Sequence, residues 1–257
     1  MLIPLRRANL WIIPLAATLL AATNVRAADV AVLTAGAVKP VLLDLAPAYR
    51  AKNHTSLAIS NDTSGGVTAR ILRGEAIDLV ILPDTAIAAL ATQGKVVADS
   101  VTPVAKCGIG AVVKQGAPVP DISSVEAFKQ TMLAVPSFAY IDPASGGSSG
   151  IYLLKLFHQL GIAEAVQHKA VLVPGGLVGS RIDNGEAALG LQQISELRAV
   201  SGLTFVGPLP PEIQNYTIYA AGIPTTAMSP ASGRELLRLL RSEAAIKALK
   251  ARGLEQP

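Results

Sequence analysis

Phe138-Ala-Tyr-Ile-Asp-Pro-Ala-Ser-Gly-Gly-Ser-Ser-Gly150 decides the fold class of this chain. The apolar run Phe138–Ile141 reads as a buried strand, the Gly/Ser cluster as a tight turn, and the pattern from Gly150 to about Leu160 as a helix. The same order recurs upstream. Val30 to Leu33 runs into Thr34-Ala35-Gly36-Ala37, and Ser56 to Ser60 runs into Thr63-Ser64-Gly65-Gly66, each ahead of a helical pattern. The first N–H groups of a helix have no intrahelical acceptor, and the macrodipole puts partial positive charge there. Glycines admit a ligand to the backbone and hydroxyls add donors. Several such turns facing one cleft would hold a small anion without a cationic side chain.

Working outward, strand and helix alternate along the chain. Strands are expected at Asp29–Leu33, Ser56–Ser60 and Asp78–Leu82, with helices at Val38–Lys52, Val67–Arg73 and Thr85–Gln93. Apolar, β-branched strands joined through helices by short loops suit α/β architecture with parallel strands covered on both faces. The order restarts at Gly108–Lys114. It continues through Ser123-Ser124-Val125-Glu126, which resembles a capping box, and through strands at Ala170–Val173 and Ala188–Gln192. A late strand at Tyr216–Ile223 precedes two closing helices. A chain that leaves one unit near residue 107 and returns near 218 forms two lobes: 28–107 with 218–257, and 108–217. A ligand would lie between them.

Residues 1–27 read as a secretory signal peptide: Arg6 and Arg7, the uncharged run Leu10–Ala22, then Val25-Arg26-Ala27 as the cleavage site, with cutting after Ala27. The run is short for a membrane span. The expected location is the periplasm. The 257-residue chain carries a formal net charge of +4, but the leader removes three arginines and no acid. The remainder carries no basic run, so nucleic acid is not an expected partner. Trp11, the sole tryptophan, leaves with the leader. Cys107 is the sole cysteine, which excludes an intramolecular disulfide, and it reads as a small buried hydrophobe. Three histidines without ligand spacing give no metal site, and no cofactor is expected.

The mature start Asp29-Val-Ala-Val-Leu-Thr-Ala-Gly-Ala37 and Gly74-Glu-Ala-Ile-Asp-Leu-Val-Ile-Leu-Pro-Asp84 have a familiar order and spacing. So do Asp142-Pro143 with Gly150-Ile151-Tyr152, and Gly185-Glu-Ala-Ala-Leu-Gly190. Together they resemble the periplasmic molybdate-binding proteins of ABC importers and their wider relatives, over essentially the whole mature chain. The resemblance implies a type II periplasmic binding protein fold, with two lobes of mixed sheets on a two-segment hinge. It also implies a monomer that captures a small anion and delivers it to importer membrane subunits. It places ligand contacts at Thr34, Gly36 and Ala37, at Thr63, Ser64, Gly65 and Gly66, and at Ser145, Gly146, Gly147, Ser148 and Ser149. Gly175, Gly176 and Gln193 complete the set. Two hydroxyls of the molybdate pattern are replaced here, one by Ala37 and one by Gln193. This argues against molybdate and for a carboxylate, since a tight dry shell relies on every donor.

The wider family also includes aconitate isomerase, which converts trans-aconitate to the cis isomer by an allylic proton shift. On that alternative the helix termini would hold carboxylates and a side chain would move the proton. Lys39 and His158 are the sequence's candidates for that group, with Arg70 and Arg181 as nearby cations.

Overall fold

The computed structural model describes residues 29–257; the leader assigned to residues 1–27 lies outside them. Strand β1 (Val30–Ala35) leads through a 3-10 turn (Gly36–Val38) into α1 (Lys39–Asn53), followed by β2 (Leu57–Asp62), α2 (Ser64–Leu72), β3 (Leu79–Pro83) and α3 (Asp84–Thr92). Then come β4 (Thr102–Cys107), β5 (Ile109–Lys114), α4 (Val125–Ala134), β6 (Phe138–Ile141), α5 (Ser148–Gln159), α6 (Ala163–Gln167) and β7 (Ala170–Val173). The chain closes with α7 (Gly179–Asp183), β8 (Leu189–Gln193), α8 (Ile194–Leu197), β9 (Leu203–Pro208), β10 (Thr217–Gly222), α9 (Pro230–Leu239) and α10 (Glu243–Ala251).

These strands form two five-stranded sheets, ordered β2-β1-β3-β10-β4 and β7-β6-β8-β5-β9. In the first, β1 runs parallel to β2 and β3, and β10 runs antiparallel to β3 and β4. The second repeats the plan: β6 is parallel to β7 and β8, and β5 is antiparallel to β8 and β9. Each sheet has apolar packing on both faces, which is why its central strands read as continuous hydrophobic runs. In the second lobe Phe138, Tyr140 and Phe157 pack ring against ring, with centroids 5.5–5.7 Å apart.

The apolar run Val104–Val113 is divided between the sheets. β4 ends the first lobe at Cys107 and β5 opens the second at Ile109, with Gly108 between them. The return crossing lies between β9 and β10. Gln214 ties the two crossings together: its Oε1 accepts from Ile109 N–H at 2.8 Å and its Nε2 donates to Ile109 O at 2.9 Å. Strand β9 has no counterpart in the sequence reading. It is an edge strand of partly exposed residues ending in Gly207-Pro208, and its period was too weak to read.

The capping residues explain where two of the key helices begin. Thr63 Oγ1 accepts from Gly66 N–H at 3.1 Å and starts α2, three residues earlier than the apolar periodicity alone suggests. Ser124, the second serine of the expected capping box, accepts from Ala127 N–H at 3.1 Å and starts α4. Gly150 lets α5 lie against the end of β6, because a Cβ there would overlap the carbonyl of Ile141. Among the described residues, no helix is long and apolar enough to cross a membrane.

Candidate functional site

The carboxyl ends of the parallel strands in both sheets face one another, and the turns that follow them enclose a cavity of about 30 Å³. Its walls come from Ala35, Gly36 and Ala37 after β1, Asn61–Ser64 after β2, and Ile141 with Gly147–Ser149 after β6. Gly176, Glu196 and Tyr219 complete it, and no lysine, arginine or histidine contributes to the lining. Ser148 and Ser149 open α5 and present N–H groups without intrahelical acceptors. In α2 only Ser64 does so, because Gly65 N–H donates to Gly146 O at 3.2 Å and Gly66 N–H donates to Thr63 Oγ1.

The sequence-derived residues divide into two groups. Gly36, Ala37, Thr63, Ser64, Gly147, Ser148, Ser149 and Gly176 meet in the cavity wall. Three hydroxyls in or beside that wall are already engaged. Thr34 is fully buried and its hydroxyl donates to Ala35 O at 2.9 Å. Thr63 Oγ1 donates across the cleft to Ser145 O at 2.6 Å, and Ser145 Oγ donates to Asp142 O at 2.7 Å. These hydroxyls cap and latch, which leaves them without a free hydrogen for a ligand. Gly65 and Gly146 touch each other between the lobes, while Gly66 and Gly175 lie outside the lining.

Gln193 is not itself in the cavity lining, although its side-chain amide lies 3.4 Å from the hydroxyl of Ser148, which is. Its side chain is buried at the hinge; oriented to satisfy both ends, Nε2 donates to the carbonyls of Cys107 and Gly108 at 3.1 Å and Oε1 accepts from Thr217 Oγ1 at 3.0 Å. Neighbouring Gln192 shapes the turn before α7, accepting from Val178 N–H at 2.8 Å and donating to Gly176 O at 2.9 Å. The proton-transfer candidates are also displaced. Lys39 Nζ is not in the lining and donates to Asn61 Oδ1, which is, at 2.7 Å. His158 is exposed in the last turn of α5, far along the helix from Ser148. Arg70 is paired with Glu75, and Arg181 with Glu186.

The group that sequence reasoning missed is Glu196. It stands in the short helix α8 at the end of β8 and reaches across to the turn after β1, where a Cβ on Gly36 would overlap its carboxylate. No side-chain hydrogen bond or salt bridge engages it among the described residues, and burial pushes its carboxyl up to about 8. Asp62 shares the cavity wall but is more exposed, and its Oδ1 accepts from Thr63 N–H at 2.8 Å. Ser195, next to Glu196, donates to Ala37 O at 2.8 Å and lies 3.6 Å from the Cys107 thiol, so α8, an element of the second lobe, is tied to the first lobe at the hinge. The thiol itself is pushed up to about 11, chiefly by burial. In the sequence Glu196 shows only as the acid in the first turn after an interior strand, a position that by itself carries no signal of chemistry.

The latch has a direct test. A Cβ on Gly65 would sit 2.9 Å from Ser145 O and 3.0 Å from Gly146 Cα, both on the opposing lobe. Gly65→Val is expected to hold the cleft open, raising the radius of gyration in solution scattering while the melting temperature changes little. An unchanged scattering profile would show that the two turns do not govern closure.

The model of the bacterial extracellular solute-binding protein family matches residues 30–255. An aconitate isomerase from Pseudomonas sp is 36% identical over 251 residues, covering 94% of each chain. In three dimensions the chain is similar to the periplasmic molybdate-binding protein of Azotobacter vinelandii. The TM-score is 0.74 at 19% identity, over 89% of this chain and 100% of that one. It is also similar to the sulfate-binding protein SubI of Mycobacterium tuberculosis, with a TM-score of 0.71 at 17% identity over 89% and 86% of the two chains. The two solved structures share its fold, the type II periplasmic binding protein architecture of two α/β lobes.

Proposed function

This chain belongs to the bacterial extracellular solute-binding protein family, and on that premise we propose that it closes on a small polycarboxylate and shifts its double bond, as an aconitate isomerase-type enzyme. The observation that carries this reading is Glu196. A site for a fully ionised oxyanion gains nothing from an unpaired carboxylate in its wall, since like charges repel strongly where water is excluded. A site that must move a proton at carbon needs such a group, with its pKa near the working pH.

The chemistry uses only what the chain supplies. The N–H groups and hydroxyls of Ser148, Ser149 and Ser64 hold carboxylates of trans-aconitate. Ionised Glu196 takes a proton from the methylene carbon, and the electron pair of that C–H bond becomes the new double bond. The former double bond's electrons pass toward the adjacent carboxylate, where positive helix termini stabilise the developing charge. A proton returned to the far allylic carbon completes cis-aconitate with no net gain or loss of atoms. The torsion of the methylene arm in the bound substrate sets the geometry of the new double bond.

Capture without conversion, for an ABC importer, is the second reading, with protonated Glu196 as a hydrogen-bond donor to the anion. In both readings residues 1–27 direct export to the periplasm, and residues 28–107 with 218–257 close against 108–217. Proton NMR of the protein with trans-aconitate decides between them. Growth of cis-aconitate signals is the expected result. Line broadening without conversion would leave only capture, and unaltered spectra would remove aconitate from both.

A further inference from the structure

The walls of the inner cavity already carry Asp62 and Glu196 with no cation opposing them. A second compartment of about 490 Å³ opens between the lobes from the same two serines, Ser64 and Ser148. Gly65 and Gly146, the latch residues, face this outer compartment and not the inner one. Its one cationic lining residue is Lys155. Ser148, Ile151, Tyr152 and Lys155 follow one another at i, i+3, i+4 and i+7 along α5, so they share a helix face. Side chains on a helix lean toward its N-terminus, which aims the Lys155 stem over Ile151 and Tyr152 toward Ser148. Lys155 has no carboxylate partner among the described residues, whereas Lys39, Arg70 and Arg181 are all engaged elsewhere.

We propose that this outer compartment is a carboxylate subsite, in which Lys155 receives one terminal carboxylate of a polycarboxylate whose reacting carbons lie beside Glu196. The inference rests on the polycarboxylate reading above and adds its selectivity. The inner turns bind what all such substrates share, and Lys155 separates tricarboxylates from dicarboxylates.

The test compares trans-aconitate with methylfumarate, which lacks the third carboxylate, using titration calorimetry on the wild-type chain and Lys155→Gln. Lys155 is exposed on α5, so the variant should fold, and a matching circular dichroism melt checks this. The expected result is a roughly five- to ten-fold loss of affinity for trans-aconitate with methylfumarate within about two-fold of wild type. Equal losses for the two ligands, or none for either, would overturn the subsite while wild-type binding and conversion of trans-aconitate leave the polycarboxylate reading standing. Failure of the wild-type protein to bind either ligand would overturn that reading and the subsite with it.

Discussion

Glu196→Gln is expected to lower trans-aconitate isomerisation by about three orders of magnitude and to retain binding of trans-aconitate. That is the size of effect expected when a positioned general base is replaced by an isosteric amide. Glutamine keeps the shape and removes the proton-accepting oxygen charge, so binding should hold or tighten, because the repulsion between Glu196 and the ligand's carboxylates disappears. Measuring turnover and Kd on the same preparation separates the two. Full turnover in the variant would place the base elsewhere, and parallel loss of binding would make Glu196 a ligand contact.

The raised carboxyl fixes two pH dependences. The folded-state pKa of about 8 lies above the ordinary value of 4.5, so between these values the native protein holds a proton that the unfolded chain releases. Stability from this group is therefore greatest at low pH, falls as pH rises from about 4.5 to about 8, and is level above that. Glu196→Gln removes the penalty and should be the more stable protein at pH 8, with a higher melting temperature there than wild type. In the other direction kcat/KM, which reports the free enzyme, should climb with pH and level off above about 8 as the base ionises. A rate that falls over the same interval would mean that protonated Glu196 is the working form.

How far the sequence could be read follows from these same residues. The α/β alternation, both Gly/Ser turns and the exit and return of the chain were visible because buried parallel strands are apolar throughout and glycine punctuates them. The wall contributed by Ser64, Gly147, Ser148 and Ser149 was visible for the same reason. The surroundings of Gln193 were not legible, because a strand-end amide looks alike whether it faces a ligand or a backbone carbonyl; only the crossing of two chain segments beside it decides. Glu196 was passed over because its burial is made by residues from the other lobe, Gly36 above all, and no local pattern records that contact. Lys39 and His158 were candidates by their chemistry alone; the structure shows what the sequence does not record, that Asn61 engages the first and that the second stands in the last turn of α5.

Gly36 therefore carries the second large expectation. It has no unusual backbone angle, and its role is the space it leaves for the Glu196 carboxylate. Gly36→Ala forces that carboxylate to move, and because the obstructed atoms are the end of a flexible side chain, the fold can yield without losing its core. Turnover should fall by about two orders of magnitude, since a base misplaced by about an ångström loses its alignment with the C–H bond. The melting temperature should stay close to wild type. The raised pKa should relax toward the ordinary carboxylate range as the group finds water, which moves the rise in kcat/KM to lower pH. Combining Gly36→Ala with Glu196→Gln should add almost nothing to the activity loss of Glu196→Gln alone, as for two changes acting through one group. If the two losses multiplied instead, Gly36 would be acting on the substrate directly, and the first turn would have to be counted among the carboxylate-binding helix termini rather than as the seat of the base.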